Sequence, residues 1–141
     1  MIEEFNKWGT IKFSQREKIK NERVVILDAV GYLASIYRYA SAAYVGGSFQ
    51  QGIHNVMEPA IFGIPVLYGP VHKNSYEAIQ FSNSEGGLIV QNEKDIENIL
   101  HNFIGNETER KLIGEKAKNF ALKNTGATEK LIQFWKNMLD E

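Results

Sequence analysis

The segment between Gly46 and Glu58 carries the residues most suited to chemistry. It reads GGSFQQGIHNVME, follows a short apolar run and leads into a helical pattern over residues 54–62. Gly46, Gly47 and Gly52 allow bare backbone to approach a ligand, and the unpaired N–H groups at a helix start attract anions. The pattern is typical of a loop that binds phosphate.

Polar side chains accompany these glycines. Ser48 can donate a hydroxyl, and His54 or Asn55 can cap the helix or bond a phosphoryl or sugar oxygen. Helical spacing predicts that Glu58 lies on the same helix face as His54 and Asn55, where its carboxylate could accept hydrogen bonds from two ribose hydroxyls. The structural alternatives are that Glu58 closes a capping box and that His54 is a semi-buried imidazole without a catalytic role. On these residues alone the alternatives stay open.

A second polar cluster follows the next apolar run. It contains Gly69, Pro70, His72, Lys73 and Asn74. Because parallel strands end at the same edge of a sheet, we expect this loop and the glycine-containing one to meet at one crevice. Lys73 could neutralise a phosphate or a sugar carboxylate, although a lone surface lysine is more often solvated.

The elements that must position both loops alternate along the chain. Short apolar runs predict strands at 24–27, 42–45, 65–68 and 88–90, and helical spacing predicts helices at 32–39, 54–62, 75–83, 93–104, 107–122 and 127–139. This alternation predicts an α/β fold, a Rossmann-like parallel sheet flanked by helices. Residues 9–15 alternate weakly and could form an edge strand, and we expect the ordered domain to begin near residue 24.

Composition excludes several classes of function. The chain has 16 basic and 17 acidic residues, so no field of one sign would attract nucleic acid. It has no cysteine for a disulfide, a thiolate metal site or a nucleophile, which fits the cytoplasm. His54, His72 and His101 lie in different elements without a metal-ligand spacing, so we predict no protein-held metal. GxGxxG and P-loop motifs are absent, which disfavours dehydrogenases and P-loop NTPases.

The longer string VGGSFxxGxHNxxEPAxxGxPVxxGPxxxN, from Val45 to Asn74, closely resembles the carboxyl-terminal domain of bacterial 3-deoxy-D-manno-octulosonic acid (Kdo) transferases. The resemblance extends upstream through DAVGYL at 28–33, covers residues 24–141, and is weakest over the segment 1–23. It implies the GT-B architecture of two Rossmann-like domains facing a cleft. The chain would be the donor-binding, C-terminal half and inactive alone.

The resemblance also implies roles. Residues 46–55 would hold the phosphate of CMP-Kdo, Glu58 the ribose, and the turn at Val30 and Gly31 the cytosine. The implied donor-binding set is Val30, Gly31, Gly46, Gly47, Ser48, Gly52, His54, Asn55, Glu58, Gly69, Pro70 and Asn74. The family's proposed catalytic base lies in the acceptor domain, so we assign no catalytic residue, and we expect no cofactor besides the CMP-Kdo donor.

The implied partners are that acceptor domain and, through it, a lipid A precursor, in lipopolysaccharide biosynthesis at the cytoplasmic face of the bacterial inner membrane. Two alternatives remain. One is the donor domain of another GT-B glycosyltransferase or a sugar-nucleotide epimerase that uses UDP or GDP sugars. The other is a noncatalytic docking module, in which the glycine loops are only tight turns and the last helix docks a protein partner. That helix carries apolar residues at helical spacing, a pattern more often buried against a core or a partner domain than used in chemistry: Leu131, Phe134, Trp135, Met138 and Leu139.

Overall fold

The computed structural model describes residues 5–50, 52–125 and 127–139 of the chain. These residues form two compact units, which divide after Arg38. The predicted boundary at residue 23, which follows the extent of the resemblance, stays a prediction. The two units are described separately below.

The first unit is built on a pair of parallel strands. β1 (Thr10–Lys12) pairs with β2 (Val24–Ile26) in parallel register. The connection between them contains a 3-10 helix at Phe13–Lys18, so only the first part of the segment 9–15, which could form an edge strand, is a strand. After β2 the chain turns into the short helix α1 (Leu33–Ile36).

The second unit contains a parallel sheet of three strands in the order β3-β4-β5. The strands are β3 (Ala43–Val45), β4 (Val66–Tyr68) and β5 (Gly87–Ile89). All three residues of the central strand β4 are buried, as expected for a strand that is covered on both faces. Because β3 and β4 run in the same direction, their following loops leave from the same edge, as predicted.

Helices alternate with these strands along the chain and follow the last of them. They are α2 (Met57–Ala60), α3 (Tyr76–Asn83), α4 (Glu93–Gly105), α5 (Glu107–Lys123) and α6 (Ala127–Leu139). Three of them begin where a polar side chain accepts a hydrogen bond from a backbone N–H of the first turn: Ser75 from Ala78, Asn92 from Asp95 and Asn106 from Glu109.

The core lies on both faces of β4. Val66 and Tyr68 belong to one buried cluster and Leu67 to another, because successive side chains of a strand point to opposite faces. The ring of Tyr68 stacks on that of Phe81, with centroids 6.3 Å apart. The prediction of an α/β fold with parallel strands flanked by helices is therefore confirmed.

The bounds of one predicted helix are wrong. The helix predicted at 54–62 is only α2, and the backbone N–H groups of Gly52, Ile53 and His54 ahead of it bond to Gly47, Asn74 and Gly46. The last helix has the predicted bounds. The apolar side chains of α6 do not pack into the core: Leu131, Phe134, Trp135 and Met138 are all exposed, Trp135 by 62%. Docking of α6 on a partner domain stays a prediction, and the side chain of Leu139 lies outside those described.

Candidate functional site

Two loops form the candidate site: the glycine loop, residues 46–56 after β3, and the second loop, residues 69–75 after β4. Ser48 joins them. Its side chain is 0% exposed, and its Oγ accepts a hydrogen bond of 2.6 Å from the N–H of Gly69. Its carbonyl accepts another of 2.8 Å from the N–H of Val71. The hydroxyl of Ser48 thus has a structural partner, and its predicted role in ligand binding stays a prediction.

A second connection joins the loops farther along. The side-chain Oδ1 of Asn74 accepts a hydrogen bond of 3.0 Å from the N–H of Ile53, and its Nδ2 donates one of 3.2 Å to the carbonyl of Ile53. Gly52 has a φ of +100°, and a Cβ placed there would lie 2.6 Å from Cγ of Asn74. Only glycine fits this position, because other side chains would be both strained and in collision.

Gly47 gives room to His54 in the same way. Its φ is +88°, and a Cβ there would lie 2.6 Å from Cδ2 of the imidazole and would also meet the carbonyl oxygen of Gly52. The imidazole is exposed, and its nitrogens make no hydrogen bond with any described residue. The semi-buried imidazole of the structural alternative is therefore not observed, because the ring of His54 is exposed. A Cβ at Gly46, by contrast, would meet nothing within 4 Å.

Asn55 lies two residues before α2. Its Oδ1 accepts a hydrogen bond of 2.9 Å from the N–H of Met57, and its Nδ2 donates one of 3.1 Å to Oε1 of Glu58. The N-cap position itself is held by Val56 without a side-chain cap, so the capping role predicted for Asn55 is wrong, whereas Glu58 lies beside Asn55 as predicted. The two side chains bond directly, so this is not a capping box, in which the carboxylate would accept from a backbone N–H. The other oxygen of Glu58 has no hydrogen bond within the described part of the chain.

An open pocket of about 560 Å³ lies where the two loops meet. Its lining consists of Ile53, His54, Asn55, Val56, Met57, Asn74, Ser75 and Glu77. A neighbouring pocket of about 370 Å³ is lined by Gly47, Phe49, Gln50 and His54. His54 therefore contributes to both pockets.

The structure brings together only part of the predicted set. His54, Asn55 and Asn74 line the larger pocket and Gly47 the smaller one, whereas Glu58, Gly69 and Pro70 line neither. The sequence reasoning missed Ser75 and Glu77. A cap serine directly after Asn74, at the start of a predicted helix, was the signal that could have identified them.

The predicted cytosine turn lies in the first unit. Val30 is 99% exposed and Gly31 has a φ of +88°. The turn follows Asp28, whose carboxylate accepts hydrogen bonds from the hydroxyl and the backbone N–H of Ser14, at 2.7 and 2.9 Å. The Ser14 hydroxyl, followed by its N–H, lowers the pKa of Asp28 below its ordinary value of 3.8. Contact of this turn with cytosine stays a prediction.

The remaining polar residues of the second loop that were considered above, His72 and Lys73, line neither of these two pockets. The ring of His72 meets the edge of Tyr68, with centroids 5.5 Å apart, and Lys73 is exposed. Burial raises the pKa of Tyr68 to about 12. Among the described residues, no three His, Asp or Glu side chains form a group that could hold a metal, and no helix is long and apolar enough to cross a membrane.

Comparison with known proteins gives several relatives. The chain is 32% identical to the 3-deoxy-D-manno-octulosonic acid transferase of Chlamydia trachomatis serovar D over 111 residues, which are 77% of the chain and 26% of the relative. It is 35% identical to the enzyme of that name from Aquifex aeolicus over 97 residues, 67% of the chain and 27% of the relative. The chain thus spans about a quarter of the length of these curated relatives. No protein-family model matches it.

A solved structure has the same fold. It is the C-terminal CMP-Kdo binding domain of WaaA from Acinetobacter baumannii, which matches 81% of the chain and 61% of its own length with a TM-score of 0.73 at 23% identity. The segment from Val45 to Asn74, which carries the resemblance, folds into the two joined loops of the candidate site. These similarities identify the chain as a relative of the Kdo transferases over a segment about a quarter of their length.

Proposed function

We propose that the chain is the CMP-Kdo-binding domain of a Kdo transferase. The observation that carries the proposal is the pocket between the two loops, which is lined mostly by residues of the segment 45–74 that resembles these enzymes. A nucleotide sugar needs hydrogen-bond donors for its phosphate and acceptors for its hydroxyls. The pocket supplies both kinds of group.

The phosphate would lie beside His54 and Asn55. Both side chains are exposed at the pocket, where the imidazole and the amide can donate to phosphoryl oxygens. Ser75, which also lines the pocket, is the N-cap of α3, and the N–H groups of that first turn add a positive partial charge. Glu58 lies in the first turn of α2, and its oxygen without a hydrogen-bond partner among the described residues would accept the ribose hydroxyls.

In the proposed reaction a hydroxyl of the acceptor sugar attacks the anomeric carbon of Kdo. The bond from this carbon to the phosphate oxygen breaks, and CMP leaves with a second negative charge on its phosphate. Donors that already point at this phosphate would stabilise the charge as it develops. We assign no catalytic residue in this chain, no cofactor and no metal to the reaction, and the base would come from the acceptor domain.

The same proposal covers the wider setting. The acceptor would be a lipid A precursor held by that acceptor domain, and the complete enzyme would act at the cytoplasmic face of the bacterial inner membrane. The turn at Val30 and Gly31 would contact the cytosine. The names of the relatives support transfer of Kdo, and the name of the matched structure supports CMP-Kdo as donor.

A nucleotide titration followed by NMR tests the proposal. CMP, UMP, UDP and GDP are added separately to the ¹⁵N-labelled chain, and amide shifts are recorded. We expect CMP to bind most tightly, with shifts at residues 46–58 and 74–77. Glu58→Gln should weaken CMP binding about tenfold through loss of a charged acceptor, whereas Glu115→Gln, an exposed control on α5, should not.

Each other result has a defined meaning. A preference for UDP or GDP would assign the chain to another nucleotide-sugar enzyme and contradict the proposal. Absence of binding by all four nucleotides at millimolar concentration would also contradict it and would favour the docking module. An equal loss of CMP affinity in Glu58→Gln and Glu115→Gln would contradict the proposed role of Glu58.

A further inference from the structure

The side-chain amide of Asn74 and the backbone of Ile53 form a reciprocal pair. Asn74 accepts from the N–H of Ile53 and donates to its carbonyl, at 3.0 and 3.2 Å. Ile53 is 6% exposed, so its polar backbone groups need protein partners. Within the described part of the chain, Asn74 is the partner of both groups.

The chain is shaped to bring this pair together. Gly52 precedes Ile53, and its missing side chain leaves the space that the Asn74 amide occupies. On either side of Ile53, the N–H of Gly52 lies 3.1 Å from the carbonyl oxygen of Gly47, and the N–H of His54 lies 3.4 Å from that of Gly46, a longer contact. The backbone groups of Ile53 itself, directly before His54, are held by Asn74.

The groups that follow Ile53 are those that face the pocket. His54 and Asn55 are the next two residues, and both line it. Residues 52–56 lie outside regular helix, so no ladder of helical hydrogen bonds fixes them. A shift of Ile53 would move both side chains with it.

We propose that Asn74 is a positioning residue: it acts through Ile53 to hold His54 and Asn55 at the pocket, and its amide is not a ligand of the bound phosphate. The nature of that ligand rests on the proposed function. The sequence-based role of Asn74 as a binding residue is thereby replaced by an indirect one. An amide that already bonds twice to one peptide group has a single N–H left for any ligand.

The test uses Asn74→Ala in the full chain, with Asn92→Ala as matched control. Asn92 also accepts from a backbone N–H, at the start of α4, so its loss lowers stability without touching the two loops. The first measurement is hydrogen exchange of the Ile53 amide without ligand. Asn74→Ala should speed it about tenfold and shift the His54 and Asn55 amide resonances, whereas Asn92→Ala should change neither.

The second measurement is CMP affinity. Asn74→Ala should weaken CMP binding about tenfold, and Asn92→Ala should leave it unchanged. Asn74→Asp keeps the size and an acceptor oxygen but loses the donor and adds a charge that would itself repel a phosphate. If the alanine variant does not fold, this variant is used for the exchange measurement, in which the Ile53 amide and the His54 and Asn55 resonances should change in the absence of ligand.

Two results would overturn the inference. Weaker CMP binding with unchanged Ile53 exchange and unchanged His54 and Asn55 resonances would mean that Asn74 contacts the ligand itself. Faster exchange with unchanged CMP affinity would mean that the position of the segment does not matter for binding. If the wild-type chain binds no nucleotide, the proposed function fails, and the exchange measurement alone decides whether Asn74 holds Ile53.

Discussion

The imidazole of His54 lies in the space that a side chain at Gly47 would occupy. A Cβ at Gly47 would come within 2.6 Å of the ring, and the φ of +88° is one that other residues rarely adopt. The neighbouring glycine differs, since a Cβ at Gly46 would meet nothing within 4 Å. The two adjacent glycines therefore serve different purposes.

Gly47→Ala should lower the free energy of unfolding by about 1–3 kcal/mol, because the backbone is strained and the imidazole must move. Gly46→Ala is the matched control and should change it by less than about 0.5 kcal/mol. Urea titration followed by circular dichroism measures both. Equal losses in the two variants would show that the contact with His54 has no energetic weight.

Ser48→Ala should destabilise the protein by about 1–3 kcal/mol, because the buried N–H of Gly69 loses its acceptor. The exposed Ser41 provides a control, and Ser41→Ala should change the free energy of unfolding by less than about 0.5 kcal/mol. The amide resonance of Gly69 should move upfield in Ser48→Ala alone. An unchanged Gly69 resonance would contradict the hydrogen bond itself.

The Asp28–Ser14 contact should make stability depend on acid pH. The pKa of Asp28 is lowered in the folded chain, so the contact stabilises the fold fully above the ordinary value of 3.8. This stabilisation is lost as the pH falls below that value and through the lowered pKa of the folded chain. In Ser14→Ala, an NMR titration of the Asp28 carboxyl should give a pKa closer to 3.8. The lowered pKa of Glu107, which depends first on Lys111, should stay unchanged and serves as the internal control.

Substitutions in α6 should have little effect on the stability of this chain. Phe134 is 59% exposed, whereas Phe81 is fully buried between Tyr68 and Phe120. Phe81→Ala should lower the free energy of unfolding by about 3–5 kcal/mol, whereas Phe134→Ala should change it by less than about 0.5 kcal/mol. A large loss for Phe134→Ala in thermal unfolding would mean that α6 packs in solution against a surface that the structure leaves open.

Much of the fold could be predicted from the sequence. The strands at 42–45 and 65–68 are short apolar runs that end at glycine-containing loops, and their parallel order follows from the intervening helical pattern. The start of α2 could not be predicted as well. Residues 54–56 have no helix-breaking residue, but the contacts of Asn74 with Ile53, 21 positions away, compete with helical hydrogen bonds. Local patterns do not contain such long-range pairs.

The site divides in the same way. Spacing along the chain predicted that Asn55 and Glu58 are neighbours, and they are. It could not reveal that Ser48 is buried, because a serine among glycines appears equally suited to a ligand and to the protein interior. It also could not distinguish an Asn74 that faces a ligand from one that bonds to the backbone of another loop.

The two loops are joined at both ends, by Ser48 to Gly69 and by Asn74 to Ile53. Neither loop can open without breaking contacts to the other, so the pocket is held ready before any ligand arrives. Association should then be a single kinetic step, with a rate constant that rises linearly with ligand concentration instead of levelling off at a rate set by loop closure. Binding would then lose little free energy to the ordering of the two loops, so the affinity would be higher than for loops that become ordered only with the ligand.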